Sequence, residues 1–207
     1  MSLLGRMMSL YSFLHASLIV ANLVAGIYCP WVLLGLIFSI WLFPLICWHI
    51  HQVMWPLQSG LSFFARPKYS PWWGSYQIQH LFLVIPALER VLHLLPGLFS
   101  VWLRAWGSDI GKQVFWAPNT LILDRSLLKF GDGVIIGHRC SFSSHVISLS
   151  KTGELILFVR PVEIGSGTFI GAGSDIGPGT KVAPNTRLLP ESKFYPNQKA
   201  GFDTVPP

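Results

Sequence analysis

Two patterns in this 207-residue chain predict a mainly-β fold: a parallel β-helix of hexapeptide repeats, preceded by an α-helical transmembrane hairpin and interfacial helices. From Ile110 to Leu188 an aliphatic or aromatic residue recurs every six positions, commonly followed by glycine and, four places on, by a small or β-branched residue. Ahead of these repeats, no Asp, Glu, Lys or Arg occurs between Met7 and Ala65. A fixed short period marks a solenoid in which each repeat supplies one strand and one corner, and three repeats complete a coil. A charge-free stretch of that length marks membrane segments, because one helical span needs about 20 apolar residues.

Residues 1–55 accommodate two spans, Met8–Tyr28 and Trp31–Trp48, turning at Cys29-Pro30. Pro44 is expected to kink the second span, and Pro56 and Pro67 to mark its exit. Arg6 precedes the hairpin, and Arg66 and Lys68 follow it. Under the positive-inside bias both ends then face the cytoplasm, which places the β-helix on the cytoplasmic side of a bacterial inner membrane. A cleaved signal peptide fits less well, since its apolar region would be overlong and a second apolar run follows at once.

Residues 56–107 read as interfacial or re-entrant helices. The stretch His80–Trp106 is apolar but carries Glu89, Arg90 and Arg104 and is broken by Pro86 and Pro96. Four shallow membrane passages are the alternative. All nine tryptophans lie at or before Trp116, a distribution suited to headgroup anchoring.

Residues 108–190 form the predicted β-helix. The cleanest run is Ile164-Gly165-Ser166-Gly167-Thr168-Phe169 and the repeats led by Ile170, Ile176 and Val182; looser copies are led by Ile110, Trp116, Ile122, Phe130, Ile136 and Phe142. The frame slips by two between Ile122 and Phe130 and is interrupted between Val146 and Ile164. Each leading side chain points into a narrow prism and stacks about 4.8 Å from its counterpart in the next coil. The glycine is expected to relax the corner, and Phe169 to point outward. Residues 191–207 read as a tail.

The net charge of +6 does not indicate nucleic acid. From Asp109 onward ten basic residues face eight acidic ones with no basic–aromatic cluster, so the excess suits an anionic membrane surface. Cys29, Cys47 and Cys140 have neither disulfide nor metal spacing, and Cys140 should be interior filling. His49 and His51 lie two apart on a helix and make a poor ligand pair, so no metal is expected.

The repeats Ile164–Arg187, the preceding Pro161-Val162-Glu163 and the stretch Ser143-Ser144-His145 resemble the hexapeptide-repeat acyltransferases of left-handed parallel β-helix fold, including their membrane-associated members. The resemblance implies a homotrimer with active sites between prisms. It also implies transfer of an acyl group from acyl-CoA or acyl carrier protein to a hydroxyl or amine, with no permanently bound cofactor. The family's working histidine stands just before an extruded loop, which is the position of His145; a structural histidine is the alternative. His138, at a corner, is the secondary candidate. Gly171, Ala172 and Gly173 are candidates for the donor side, supplying backbone N–H to the oxyanion, unless they only form a corner.

With eighteen residues per coil and the two-residue slip, Arg125 falls beneath His145 and Asp124 beside it, so Asp124 is a candidate to orient the imidazole. Glu154 and Glu163 are alternative partners. A serine nucleophile at Ser143 or Ser144 lacks a glycine-flanked elbow and a third triad member. The expected acceptor is membrane-embedded or lipid-linked, on the ground that a soluble one needs no apolar half beside the site. A non-catalytic trimeric membrane scaffold is the competing reading.

Overall fold

A computed structural model describes residues 2–63 and 68–202, which fall into two units: residues 1–58 with 64–88, and residues 59–63 with 89–207. Arg66 and the exit expected at Pro67 lie outside the described residues.

The first unit is helical. Leu3–Tyr28 and Pro30–Met54 are each long and apolar enough to cross a membrane, by length and composition. Both extend past the predicted limits, because Ser2 caps the first helix through the Gly5 N–H and the second continues to Met54. A π-helical turn at Phe38–Leu42 precedes Pro44, where the missing proline N–H breaks the regular ladder. The unit is held by polar contacts among apolar surroundings. His15 Nε2 meets the Ser39 carbonyl at 2.7 Å, Trp48 Nε1 donates to Ser75 Oγ at 3.1 Å, and His51 Nε2 meets the Tyr69 hydroxyl at 2.7 Å.

The helix Pro71–Val84, in the stretch expected to be interfacial or re-entrant, buries Trp72, Ile78, Leu81 and Phe82 together with Ser75, Gln77 and Gln79, so it packs inside this unit.

The second unit is the predicted prism. Its first face stacks Asp109–Ile110, Leu128–Phe130, Val162–Ile164, Lys181–Val182 and Lys199–Ala200; its second, Phe115–Trp116, Ile135–Ile136, Phe169–Ile170 and Arg187–Leu188; its third, Leu121–Ile122, Ser141–Phe142, Asp175–Ile176 and Lys193–Phe194. All these pairings are parallel. Ile110 registers on Phe130 and Ile122 on Phe142, each twenty residues on, whereas Ile164 registers on Val182 after eighteen. The extra two residues are the slip. Every predicted core position from Ile110 to Leu188 is buried, and Phe169 is 42% exposed.

Strands at Lys193–Phe194 and Lys199–Ala200 extend the prism into the segment expected to be tail. The glycine after each core residue does not relax the corner as expected. A Cβ on Gly171 would run into the backbone of Leu189 and Pro190, so the glycine after the core residue is there for close packing of coils. The left-handed corner lies two residues further on, at Gly173 in this repeat and at Asn185 and Asn197 elsewhere.

The helix Leu98–Ala105 closes the first coil, burying Phe99, Trp102 and Leu103, with Trp106 following. Arg104 donates to the carbonyls of Ile110 (2.7 Å) and Gly111 (2.6 Å), and Trp116 Nε1 donates to Ser100 Oγ at 2.9 Å. The division expected near residue 107 therefore falls between Leu88 and Glu89. The interruption between Val146 and Ile164 is a hairpin of His145–Leu149 and Leu155–Val159, joined antiparallel by Gly60–Phe63 into a three-stranded sheet.

Candidate active site

The chain leaves the prism at Ser143-Ser144-His145, directly after the third-face strand Ser141–Phe142. Beside it, in the preceding coil, the two-residue slip lets Leu123–Leu127 loop out of register before Leu128 resumes the first face. Asp124, 2% exposed, turns toward the departing chain. Its Oδ2 accepts from the Ser144 N–H at 2.9 Å and lies 2.7 Å from His145 Nδ1. Ser144 is itself fixed, because its hydroxyl donates to the Leu127 carbonyl at 2.9 Å.

This geometry assigns the tautomer. An Nδ1–H donating to a carboxylate leaves the neutral imidazole's basic lone pair on Nε2. The side chain of His145 is 12% exposed against 3% for Asp124, so the carboxylate stands behind and the imidazole in front. A carboxylate in that place also stabilises an imidazolium once a proton has been taken. Ser143 Oγ donates to the His145 carbonyl at 2.6 Å. Both serine hydroxyls thus serve the backbone, consistent with the absence of a nucleophile elbow.

Arg125 is where the register put it, but its side chain points elsewhere and corrects its place among the site candidates. Fully buried, it donates through Nε and Nη2 to Glu89 at 2.7 and 2.5 Å, and Trp102 Nε1 donates to the same carboxylate at 2.7 Å. Glu89 was unreadable as a partner, since in sequence it is one charge in an apolar helix. Glu154 is also corrected. It lies at the exposed tip of the hairpin, its N–H donating to Ser150 Oγ at 2.9 Å, five strand positions from His145. Glu163 pairs with Lys181 at 2.7 Å.

His138 and Gly171–Gly173 share a different corner, between the second and third faces. His138 is exposed and borders a hollow of about 380 Å³ with Arg139, Gly173, Asp175, Glu191 and Lys193. The N–H groups of Gly171 and Gly173 donate to the Leu188 and His138 carbonyls at 3.0 and 2.9 Å. Those two N–H groups are therefore committed to building the coil. Cys140 is buried in the prism, and burial pushes its thiol up. Among the described residues no three His, Cys, Asp or Glu side chains converge to hold a metal.

No protein-family model matches the chain, and no curated protein matches its sequence. The chain is similar to solved hexapeptide-repeat acetyltransferases. One from Vibrio cholerae is 20% identical over 59% of this chain and 86% of its own, with a TM-score of 0.38. A maltose O-acetyltransferase from Clostridium difficile is 16% identical over 57% and 80%, TM-score 0.33. A galactoside acetyltransferase in complex with coenzyme A is 16% identical over 56% and 75%, TM-score 0.35.

Proposed function

We propose that this chain is a membrane-anchored acyltransferase in which His145 is the general base and Asp124 its orienting carboxylate. The observation that carries the reading is the pairing of the buried Asp124 with the part-exposed His145 at the corner where the prism opens into the hairpin. A neutral hydroxyl or amine attacks a thioester poorly unless its proton is removed as the bond forms. His145 Nε2 takes that proton, the acceptor oxygen or nitrogen bonds to the thioester carbon, the carbon–sulfur bond breaks, and the thiolate recovers the proton from the imidazolium. The donor is acyl-CoA or an acylated carrier protein.

The acceptor is lipid-linked or membrane-embedded, a reading supported by the two apolar helical segments that precede the prism. Their flanking Arg6 and Lys68 favour a cytoplasmic prism. Assembly as a homotrimer is supported by the outward ladder Phe115–Ile135–Phe169 on the second face, exposed by 59, 44 and 42% in successive coils.

The test is release of free thiol from acyl-CoA by the full chain in detergent, with extracted membrane lipid as acceptor. His145→Ala is expected to lower the rate about 10²-fold or more, the scale of losing a general base. Undiminished transfer would remove the mechanism. An intact assembly and unchanged cellular role without His145 would favour the scaffold. Cysteines placed at Ser2 and Lys199 are expected to resist an impermeant thiol reagent in whole cells, while the turn near Pro30 reacts; labelling at Lys199 would overturn the cytoplasmic placement.

A further inference from the structure

Resting on the acyltransferase reading, we infer that the donor's acyl chain is a long aliphatic one, seated on the hairpin face that begins at His145. Strand alternation puts His145, Ile147 and Leu149 on one side of the sheet. Their antiparallel partners Val159, Leu157 and Leu155 share that side. The imidazole therefore starts a row whose other five members are all aliphatic.

Exposure divides the row. Leu157 and Val159, near the prism end of the central strand, are 1 and 2% exposed and serve the packing of the sheet, whereas Ile147 and Leu149 on the outer strand and Leu155 at the far end of the central one are 41, 65 and 39% exposed. His145–Leu149 is the outer strand of the three. Three solvent-facing aliphatic side chains in a row leading away from a proposed catalytic base are costly to leave uncovered, and an extended hairpin is a conspicuous place to leave them. The row ends at the polar tip Ser150-Lys151-Thr152-Gly153-Glu154, where hydrogen bonds between Ser150 and Glu154 close the turn.

Length and direction favour an acyl chain as the occupant. A chain whose reacting carbonyl lies at His145 Nε2 is attached to the group at the head of the row, so its first methylenes meet Ile147 and its later ones Leu149 and Leu155. Four residues of strand advance about 13 Å, the reach of roughly ten methylenes. An acetyl group would end beside His145 and leave the row bare. The sheet is an outgrowth at one corner, so it lengthens the acyl site without altering the prism.

The experiment uses the full chain in detergent with two probes, decanoyl-CoA carrying a terminal diazirine and acetyl-CoA. Photolysis of the decanoyl probe, mapped by mass spectrometry, is expected to label the hairpin at or next to Ile147, Leu149 or Leu155. The combined change Ile147→Ser, Leu149→Ser is expected to lower the ratio of decanoyl-CoA to acetyl-CoA affinity about tenfold or more. Labelling confined to other segments, no labelling, or an unchanged ratio in a folded variant each overturns the assignment. A variant that changes the size of the assembly but not the ratio gives the row to a second copy of this chain, and also overturns it. Failure of the underlying reading is separable. Hairpin labelling and a lowered ratio without His145-dependent thiol release would sink the acyltransferase proposal while keeping the row; His145-dependent release with no chain-length preference would do the reverse.

Discussion

His145 and His138 stand on successive corners of one coil, and among the described residues only the imidazole of His145 is given a side-chain partner. The corner at His145 is built: a slip in the coil beneath supplies Asp124, Ser144 holds that carboxylate, and the chain then leaves as a hairpin that begins at His145. The corner at His138 is regular, its glycine N–H groups used by the coil and its histidine exposed among charges of both signs. The difference teaches that in a solenoid the repeats make the scaffold, while departures from the repeat bring polar side chains together. Both irregularities in the frame, the two-residue slip and the interruption, meet at one side chain.

The comparison holds only while the prism does, so the largest expected effect is on folding. Ile170→Asp buries an unpaired carboxylate in a dry interior and is expected to abolish the cooperative melt of the prism by circular dichroism. Phe169→Asp, one residue away but outward, is expected to melt close to the parent while weakening the proposed trimer in light scattering. Equal damage at both positions would break the inward–outward frame.

Next in size is the pair of histidines. Against the loss of about 10²-fold expected for His145→Ala, His138→Ala is expected to change transfer by no more than about threefold, the scale of an exposed polar contact. Reversed effects would transfer the site to the second corner. Asp124→Asn sharpens the contrast with an expected loss of about ten- to a hundredfold, the worth of a hydrogen bond to a charged group. The loss is expected in a variant that keeps the parent's thermal melt; a fall in rate that only tracks a lowered melt would make Asp124 a structural residue.

The smallest effect concerns Cys140, which burial pushes up and so holds in the thiol form. A folded-state value above the unfolded one favours the protonated folded protein, so this contribution is fully present below the unfolded thiol's value, about 8.5, and is lost as pH rises from there through the higher folded one. At pH 8, alkylation of Cys140 measured by mass spectrometry is expected only on unfolding. Fast labelling in the native protein would mean that the coil opens at that repeat.

The prism was legible wherever its repeat carries an Ile-Gly pair, because period and burial are the same fact seen twice. It was illegible past Leu188, where Phe194 and Ala200 lead the repeats without that signature. Asp124 could be placed beside His145 by counting eighteen residues and adding the slip, since stacking makes sequence distance a measure of space. The hairpin could not be read, because its apolar residues face both ways and its third strand, Gly60–Phe63, comes from far along the chain. Glu89 and Arg125 were unreadable for the same reason: their ion pair joins a helix to a coil, and no period links the two.

Arg104 has a further consequence. A parallel β-helix ends in rows of backbone groups that would accept another prism as readily as another coil, the arrangement by which solenoids grow into fibres. Here the guanidinium takes the Ile110 and Gly111 carbonyls and the helix behind it covers the first rung. End-on stacking through that rung is thereby blocked.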